Sequence, residues 1–454
     1  MDKDSQYINL KIRDGISVTV PSAPGLMTPY ILREQQDWFE DELQFLRHYI
    51  KPGMRVIDVG ANYGVYTLPL ACIAGSSGRV WAIEPAADTV RCLRRSVQAN
   101  ALTNVEVIQA GVSGRSGTAV LHTCANAEWN SLTPTGVAGS GQETVNLFTL
   151  DQCRQEHGCT GIDLLKLDAE GEELNILEGG REFFLAENPL VMFELKHNDR
   201  INLSLLDGIR HCGYSPFRLV PGLQVLVPFD AEDPVDGFLL NLFACKPDRA
   251  AGLEDAGLLL SRQEHKAGTI RTGDHIETYP FWKGLAANLT DPASAAYQEI
   301  LSLYLQAQHP SYAIHERFGF LVTALARVKN QLEQGESRPE CLATFSRIAF
   351  DTGERSLGIK ILAMVISRYY DNLDFKISVP FLPAADRYER LDPGNNPNAW
   401  LISSVLEQFV VKHAWSTYFS RRQALPVLAR LGQLGFFSEE MARRKELIER
   451  NFRD

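Results

Sequence analysis

Three acidic residues and one histidine follow the ends of two apolar segments, where a sheet enzyme commonly holds a reacting group. Asp168 ends the first segment and Glu170 comes two residues later. Glu194 lies near the end of the second segment, and His197 follows it by three residues. Because the carboxyl ends of parallel strands meet at one edge of a sheet, we expect these side chains to lie close together.

Two kinds of chemistry are compatible with these residues. Neighbouring carboxylates raise one another's pKa, so one of them could act as a general base. The same oxygens suit a hard divalent cation, with Asp168 and Glu194 as the metal-ligand candidates. His197 is a rival base with a suitable pKa, although a lone histidine is more often an ordinary surface residue. For Glu173, a helix start favoured by the macrodipole is an equally good interpretation.

A glycine-containing turn lies upstream of the acidic residues. The β-branched run at 56–59 is typical of a buried parallel strand. Gly60 and Gly64 remove side chains where the backbone must bend and approach a ligand. A second strand ends some twenty residues later in Glu84, and an acid at that place can accept hydrogen bonds from both ribose hydroxyls. The pattern predicts a nucleoside-containing ligand at this turn.

The turn is not the G-x-G-x-x-G sequence of dinucleotide enzymes. Asp58, Gly60, Asn62 and Gly64 instead resemble motif I of S-adenosylmethionine (SAM) methyltransferases. That resemblance implies that Asp58 and the turn backbone hold the amino-acid end of SAM. Such folds place adenine contacts at the end of the third strand, where Gln109 is the candidate.

A wider resemblance extends over about residues 50–246. The turn, Ile83-Glu84-Pro85 and Leu165-Lys166-Leu167-Asp168-Ala169-Glu170-Gly171-Glu172-Glu173 together resemble the FkbM-type SAM-dependent methyltransferase family. Members of that family mostly methylate hydroxyls of sugars, polyketides and related natural products. The resemblance therefore implies O-methylation with SAM as the cofactor.

At 454 residues the chain is too long for one ordinary core, so we expect two or three domains. Alternating strands and helices predict an α/β class: a Rossmann-like, class I methyltransferase sheet, doubly wound, mostly parallel and with one antiparallel strand. The predicted domains are an N-terminal extension at 1–50, a methyltransferase domain at 51–248 and an α-helical domain at 249–454. The extension is either a lid or an edge of the sheet. Within the helical domain, 344–370 loosely resembles a tetratricopeptide-type hairpin.

A hairpin-like insertion at 118–151 interrupts the alternation of strands and helices. Trp129, Asn130 and Ser131 lie at the apolar centre of its long loop. Long loops in compact domains are often functional, so these residues are either part of an acceptor pocket or a solvated loop anchored by one Trp.

Composition excludes several classes of protein. A net charge of −11 argues against nucleic acid as the main partner, because phosphate neutralisation needs clustered Lys and Arg. No apolar run is long enough to span a membrane, and no signal peptide is evident. Eight scattered Cys suit a reducing cytoplasm. Cys153, His157 and Cys159 match no zinc spacing, so we expect them to be local polar loop residues.

These observations favour a cytoplasmic O-methyltransferase acting on a hydroxyl of a small molecule, sugar or glycan precursor. One alternative is a catalytically silent scaffold whose helical domain binds a protein partner or self-associates. Another is a protein methyltransferase whose helical domain presents the substrate.

Overall fold

The chain forms two compact units. The computed structural model describes residues 6–23, 25–132, 141–197, 200–232, 234–261 and 294–451. The first, which we call the α/β unit, comprises 1–219, 226–234 and 239–261. The second, the helical unit, comprises 220–225, 235–238 and 262–454.

Strands occur only before residue 246 in the part of the chain that the structure describes. They are β1 (Tyr7–Lys11), β2 (Ser17–Pro21), β3 (Arg55–Val59), β4 (Arg79–Ile83), β5 (Val105–Ile108), β6 (Gly111–Val112), β7 (Gly117–Thr123), β8 (Gly141–Phe148), β9 (Leu164–Leu167), β10 (Leu190–Glu194), β11 (Lys196–His197), β12 (Arg200–Ile201), β13 (Ser215–Val220), β14 (Val225–Pro228) and β15 (Asn241–Cys245).

Helices occur in both units. Those of the α/β unit are α1 (Met27–Gln35), α2 (Asp41–Tyr49), α3 (Thr67–Ala74), α4 (Ala87–Ala99), α5 (Leu150–Glu156), α6 (Glu173–Glu178), α7 (Arg181–Ala186), α8 (Leu203–His211) and α9 (Pro247–Asp255). Those of the helical unit are α10 (Ala295–Gln308), α11 (Ile314–Glu333), α12 (Pro339–Thr352), α13 (Arg355–Tyr369), α14 (Pro397–Lys412), α15 (Thr417–Gln433) and α16 (Glu439–Asn451).

The central sheet of the α/β unit has the strand order β14-β13-β15-β10-β9-β3-β4-β5. The five strands from β10 to β5 are parallel, and β15 runs antiparallel to both of its neighbours. Val56, Ile57 and Trp81 are fully buried, as expected for strands covered on both faces. The predicted doubly wound, mostly parallel sheet is confirmed, and the carboxyl ends of β9 and β10 lie side by side.

The N-terminal segment packs on the sheet's helices. β1 and β2 pair as an antiparallel hairpin. The backbone N–H groups of Ser17 and Thr19 donate to the side chains of Asn100, just after α4, and Ser96 on α4, each at 2.8 Å. Residues of this segment thus belong to the α/β unit, and their role as a lid stays a prediction.

The α/β unit continues past the boundary that we expected at residue 248. Leu253 on α9 and Leu259 are buried in its core, and Leu259 forms a β-bridge with Leu226. The unit therefore ends at Ser261. The helical pattern of α9 conceals this, because a surface helix of either unit has the same periodicity.

The prediction for Cys153 and Cys159 was wrong. Both are fully buried and form a disulfide, with Cα atoms 5.7 Å apart. After α5 the chain turns back, since the N–H of Cys159 donates to the carbonyl of Cys153 at 3.4 Å, and this brings the two sulfur atoms together. Spacing alone does not reveal such a turn. The cytoplasmic location stays a prediction.

The C-terminal helical region is confirmed. α12 and α13 form a hairpin about Gly353, whose φ of +86° suits the left-handed end of a helix. Gly358 on α13 lies against the Phe350 ring of α12. Among the described residues, no helix combines the length and the apolar character needed to cross a membrane.

Candidate active site

The turn after β3 requires glycine at its first position. The N–H groups of Gly60 and Ala61 both donate to the Ile83 carbonyl at 3.0 Å. Gly60 has φ +75°, and a Cβ there would lie 1.8 Å from the carbonyl oxygen of Asp168. The turn therefore touches the end of β9, which places the two predicted groups of residues at the same edge of the sheet.

Asn62 and Glu84 join the turn to the end of β4. The backbone N–H of Asn62, at φ +47°, donates to Glu84 Oε2 at 3.0 Å, and the N–H of Ala86 donates to Glu84 Oε1 at 2.9 Å. Gly64 has φ +91°, and a Cβ there would meet the Leu93 side chain. The side-chain Oδ1 of Asn62 is buried and accepts no hydrogen bond within the described structure.

Burial keeps Glu84 partly protonated near neutral pH. Its side chain is buried, and this desolvation raises its pKa to about 7, against the lowering effect of the two backbone hydrogen bonds. Ligand hydroxyls that donate hydrogen bonds to Glu84 would stabilise its ionised form.

A buried lysine, which was not among the predicted site residues, connects the turn to the acidic residues. Lys166 Nζ lies 2.8 Å from Asp168 Oδ2 and 3.7 Å from Asp58 Oδ1. Asp58 Oδ2 accepts a 2.6 Å hydrogen bond from Thr67. Burial alone would lower the pKa of Lys166, but the charges of Asp168 and Asp58 outweigh it and the net shift is upward. Because parallel strands buried on both faces are mostly apolar, a lysine inside one was the available signal.

Asp58 itself lies beneath the turn. Its side chain is 1% exposed, and burial raises its pKa against the effects of Lys166 and Thr67. With Thr67 on one oxygen and Lys166 near the other, Asp58 supports the turn and the start of α3. Its direct contact with a cofactor stays a prediction.

Asp168, Glu170 and Glu194 converge as expected. One carboxylate oxygen from each lies within 4.8 Å of the others, and all three side chains are partly exposed. Glu170 occupies a tight turn at φ +48°, and its carbonyl accepts a 3.1 Å hydrogen bond from Ser131. The segment between β7 and β8 thus reaches the acidic cluster, and its part in an acceptor pocket stays a prediction.

Burial, together with the crowding of these acids, keeps protons on two of them. Burial, followed by the charges of Asp168 and Glu173, raises the pKa of Glu170 to about 8. Burial, followed by the charges of Asp168 and Glu170, raises the pKa of Glu194 to about 10. The cluster can therefore share protons or exchange them for a cation.

A further carboxylate reaches the cluster from the N-terminal segment. Glu40, just before α2, accepts hydrogen bonds from Tyr66 and, at 3.1 Å, from Asn241 Nδ2. Asn241 pairs with Glu194 across β15 and β10. Burial raises the pKa of Glu40. No motif marks Glu40 or Asn241, because only the fold brings them to this edge.

The remaining candidates occupy different surroundings. Glu173 accepts hydrogen bonds from the N–H groups of Ala169 at 2.9 Å and Gly171 at 3.3 Å, so it stabilises the turn before α6. Trp129 is 42% exposed. Gln109, after β5, is exposed beside α4. The side chain of His197 lies outside the described residues.

The residues present fit the cofactor that the sequence implies. The edge offers a carboxylate, Glu84, for ribose hydroxyls, an acceptor-only amide oxygen on Asn62, and a glycine turn that leaves the backbone open to a ligand. Residues 58–216 match the methyltransferase FkbM domain. This match covers about a third of the chain and identifies SAM as the cofactor.

Two curated relatives are methyltransferases. Protein-L-isoaspartate O-methyltransferase 1 of Arabidopsis thaliana is 31% identical over 100 residues, which is 22% of this chain and 38% of that protein. Methyltransferase sdnD of Sordaria araneosa is 30% identical over 154 residues, which is 27% of this chain and 59% of that protein. The chain thus spans less than two thirds of the length of each.

Solved structures include methyltransferases at low similarity. A SAM-dependent methyltransferase from Aquifex aeolicus is 16% identical, with a TM-score of 0.28, over 48% of this chain and 93% of that one. A SAM-dependent O-methyltransferase from Thermotoga maritima is 13% identical, with a TM-score of 0.27, over 57% and 79%.

Proposed function

We propose that this protein is a SAM-dependent O-methyltransferase whose acceptor is a hydroxyl of a sugar, glycan precursor or related natural product. The observation that carries the proposal is the convergence of Asp168, Glu170 and Glu194 beside the glycine turn. An alcohol is a poor nucleophile at neutral pH, so its methylation needs a group that takes the proton.

SAM supplies an activated methyl group, which the acceptor oxygen attacks as the bond from methyl carbon to sulfur breaks. The chain's own residues must align the acceptor and remove its proton. Glu170 is suited to this role, because a base whose pKa is near 8 binds a proton strongly yet is partly ionised at neutral pH. Lys166 holds Asp168 at 2.8 Å and so orients the neighbouring carboxylate.

A divalent cation is the alternative use of the same oxygens. Three carboxylates provide the hard ligands that Mg²⁺ or Ca²⁺ prefers, and Asp168 and Glu194 stay the predicted ligands. In that case the cation, bound in place of protons, would lower the pKa of the acceptor hydroxyl. The two mechanisms differ in their sensitivity to a chelator.

The test is transfer of labelled methyl groups from SAM to fractions of a cell extract. We expect label in the small-molecule or glycan fraction. Glu170→Gln should reduce transfer about 100-fold or more while calorimetry shows unchanged affinity for S-adenosylhomocysteine. Glu178→Gln, an exposed acid on α6, is the matched control and should keep wild-type transfer.

Three outcomes decide between the possibilities. Absence of both labelled products and S-adenosylhomocysteine binding would contradict the proposal and favour a silent scaffold. Label confined to proteins would instead favour a protein acceptor, as the name of the Arabidopsis relative suggests. Transfer that a chelator abolishes and added Mg²⁺ restores would favour the cation over the base.

A further inference from the structure

Five of the six residues that line a surface cavity beside α4 have side-chain N–H donors. Its volume is about 340 Å³. The lining residues are Ala87, Arg91, Arg94, Arg95 and Gln98 of α4, together with Gln109 after β5. The helical residues recur every three or four positions, so they form one face of α4.

The charge of this face differs from that of the whole chain. The protein has 56 acidic and 45 basic residues, yet none of the six lining residues is acidic. Arg91 and Arg94, and likewise Arg91 and Arg95, are like-charge neighbours at helical spacing, which costs a helix a few tenths of a kcal/mol per pair. An anion bound between them would remove that repulsion.

The N-terminal hairpin holds two of the arginines in place. Arg91 Nη1 donates to the Tyr7 hydroxyl at 2.9 Å and pairs with the exposed Asp88. The Arg95 guanidinium lies 4.5 Å from the centre of the Tyr7 ring. Arg94 makes no ion pair within the described part of the chain, so the cavity keeps positive charge.

We propose that this cavity binds a small molecule carrying a diphosphate group. Guanidinium forks bind phosphoryl oxygens in pairs, and the Gln98 and Gln109 amides add further donors. The cavity has about ten times the volume of one water molecule, which exceeds the size of a single phosphate and lies at the lower end of small-molecule pockets. None of the acidic cluster lines the cavity, whereas Gln109 is also the predicted adenine contact, so competition with S-adenosylhomocysteine tests whether the two sites are separate.

The test is calorimetric titration with inorganic pyrophosphate at low salt, in the presence of saturating S-adenosylhomocysteine. We expect one site whose affinity falls as salt rises to about 0.15 M. Arg91→Gln combined with Arg94→Gln should weaken binding at least tenfold, since charge-assisted contacts are lost. Arg422→Gln, an exposed arginine on α15, is the matched control and should bind like the wild type.

The proposal fails if the wild type shows no binding at low salt, or if the double variant binds pyrophosphate as the wild type does. It also fails if S-adenosylhomocysteine displaces pyrophosphate, because the anion would then occupy the cofactor site. Circular dichroism of the double variant, together with its retained S-adenosylhomocysteine affinity, separates loss of binding from loss of folding.

Discussion

Ionisation of the buried Glu84 side chain lowers the stability of the fold but should favour ligand binding. Its pKa is about 7 in the folded protein, above the ordinary value of 4.5, because the side chain is buried. The folded chain therefore holds this proton more tightly than the unfolded chain does. The stability that Glu84 contributes is present below about pH 4.5 and is lost as the pH rises through 7.

The same ionisation should strengthen cofactor binding. A carboxylate accepts stronger hydrogen bonds than the neutral acid does, so we expect the affinity for S-adenosylhomocysteine to rise up to about tenfold between pH 6 and pH 8. Glu84→Gln should bind more weakly and without this pH dependence. Calorimetry at three pH values measures both, and a variant that keeps the wild-type pH profile would exclude Glu84 as the cause.

Both the φ angle and the close surroundings of position 60 require glycine there. Gly60→Ala places a Cβ 1.8 Å from the Asp168 carbonyl at φ +75°, so we expect a loss of about 2–5 kcal/mol in the free energy of unfolding. Gly213→Ala is the control, since its φ of +82° is similar and no atom lies within 4 Å of the added carbon. It should cost only about 1–2 kcal/mol. Urea denaturation measures both free energies of unfolding. If the two variants lost the same amount, the close approach of Gly60 to the Asp168 carbonyl would not contribute to stability.

At the scale of elements, two packing contacts determine how the site and the helical unit are built. The β7–β8 hairpin reaches the acidic cluster through Ser131 and Glu170. In the helical unit, α12 and α13 approach closely where Gly358 faces Phe350. The second contact depends on glycine, because a Cβ at position 358 would meet the Phe350 ring.

Gly358→Ala should destabilise the helical hairpin although alanine favours a helix. The added Cβ would lie 2.6 Å from the Phe350 ring, so we expect a loss of about 1–3 kcal/mol. Gly432→Ala on α15 is the matched control, because nothing lies within 4 Å and the change should add about 0.5–1 kcal/mol. Thermal denaturation compares the two, and stabilisation by both changes would contradict the close packing.

At the scale of the whole molecule, each unit has its own buried core. Leu164, Leu190 and Phe243 are fully buried in the α/β unit. Phe345 and Trp400 are fully buried in the helical unit. Because separate cores can unfold separately, we expect more than one melting transition for this chain.

Calorimetric melting should resolve two transitions. S-adenosylhomocysteine at about 100 times its Kd should add about 2.7 kcal/mol to the α/β unit alone. Gly60→Ala should lower that same transition, whereas Gly358→Ala should lower the other. A single transition that moves with the ligand and with both variants would instead indicate that the units unfold together.

Much of the fold was predictable because it depends on local patterns. The β-branched run before Gly60 and the apolar runs before Asp168 and Glu194 specify parallel strands, since only buried strands are apolar on both faces. The helical periodicity after residue 294 likewise predicted the helical region. Carboxyl ends of parallel strands share one edge, so the convergence of Asp168, Glu170 and Glu194 followed from topology alone.

Other features depend on contacts between residues that are distant in sequence. Glu40 and Asn241 meet at the site across 201 positions, and only the tertiary structure pairs them. The burial of Lys166, the disulfide between Cys153 and Cys159, and the end of the α/β unit at Ser261 likewise depend on packing. Periodicity reports which face of an element is buried, but it does not report what covers that face. The sequence therefore determined the sheet and the edge that carries the site, whereas the tertiary structure decided which charges surround each acid and so which of them keep their protons.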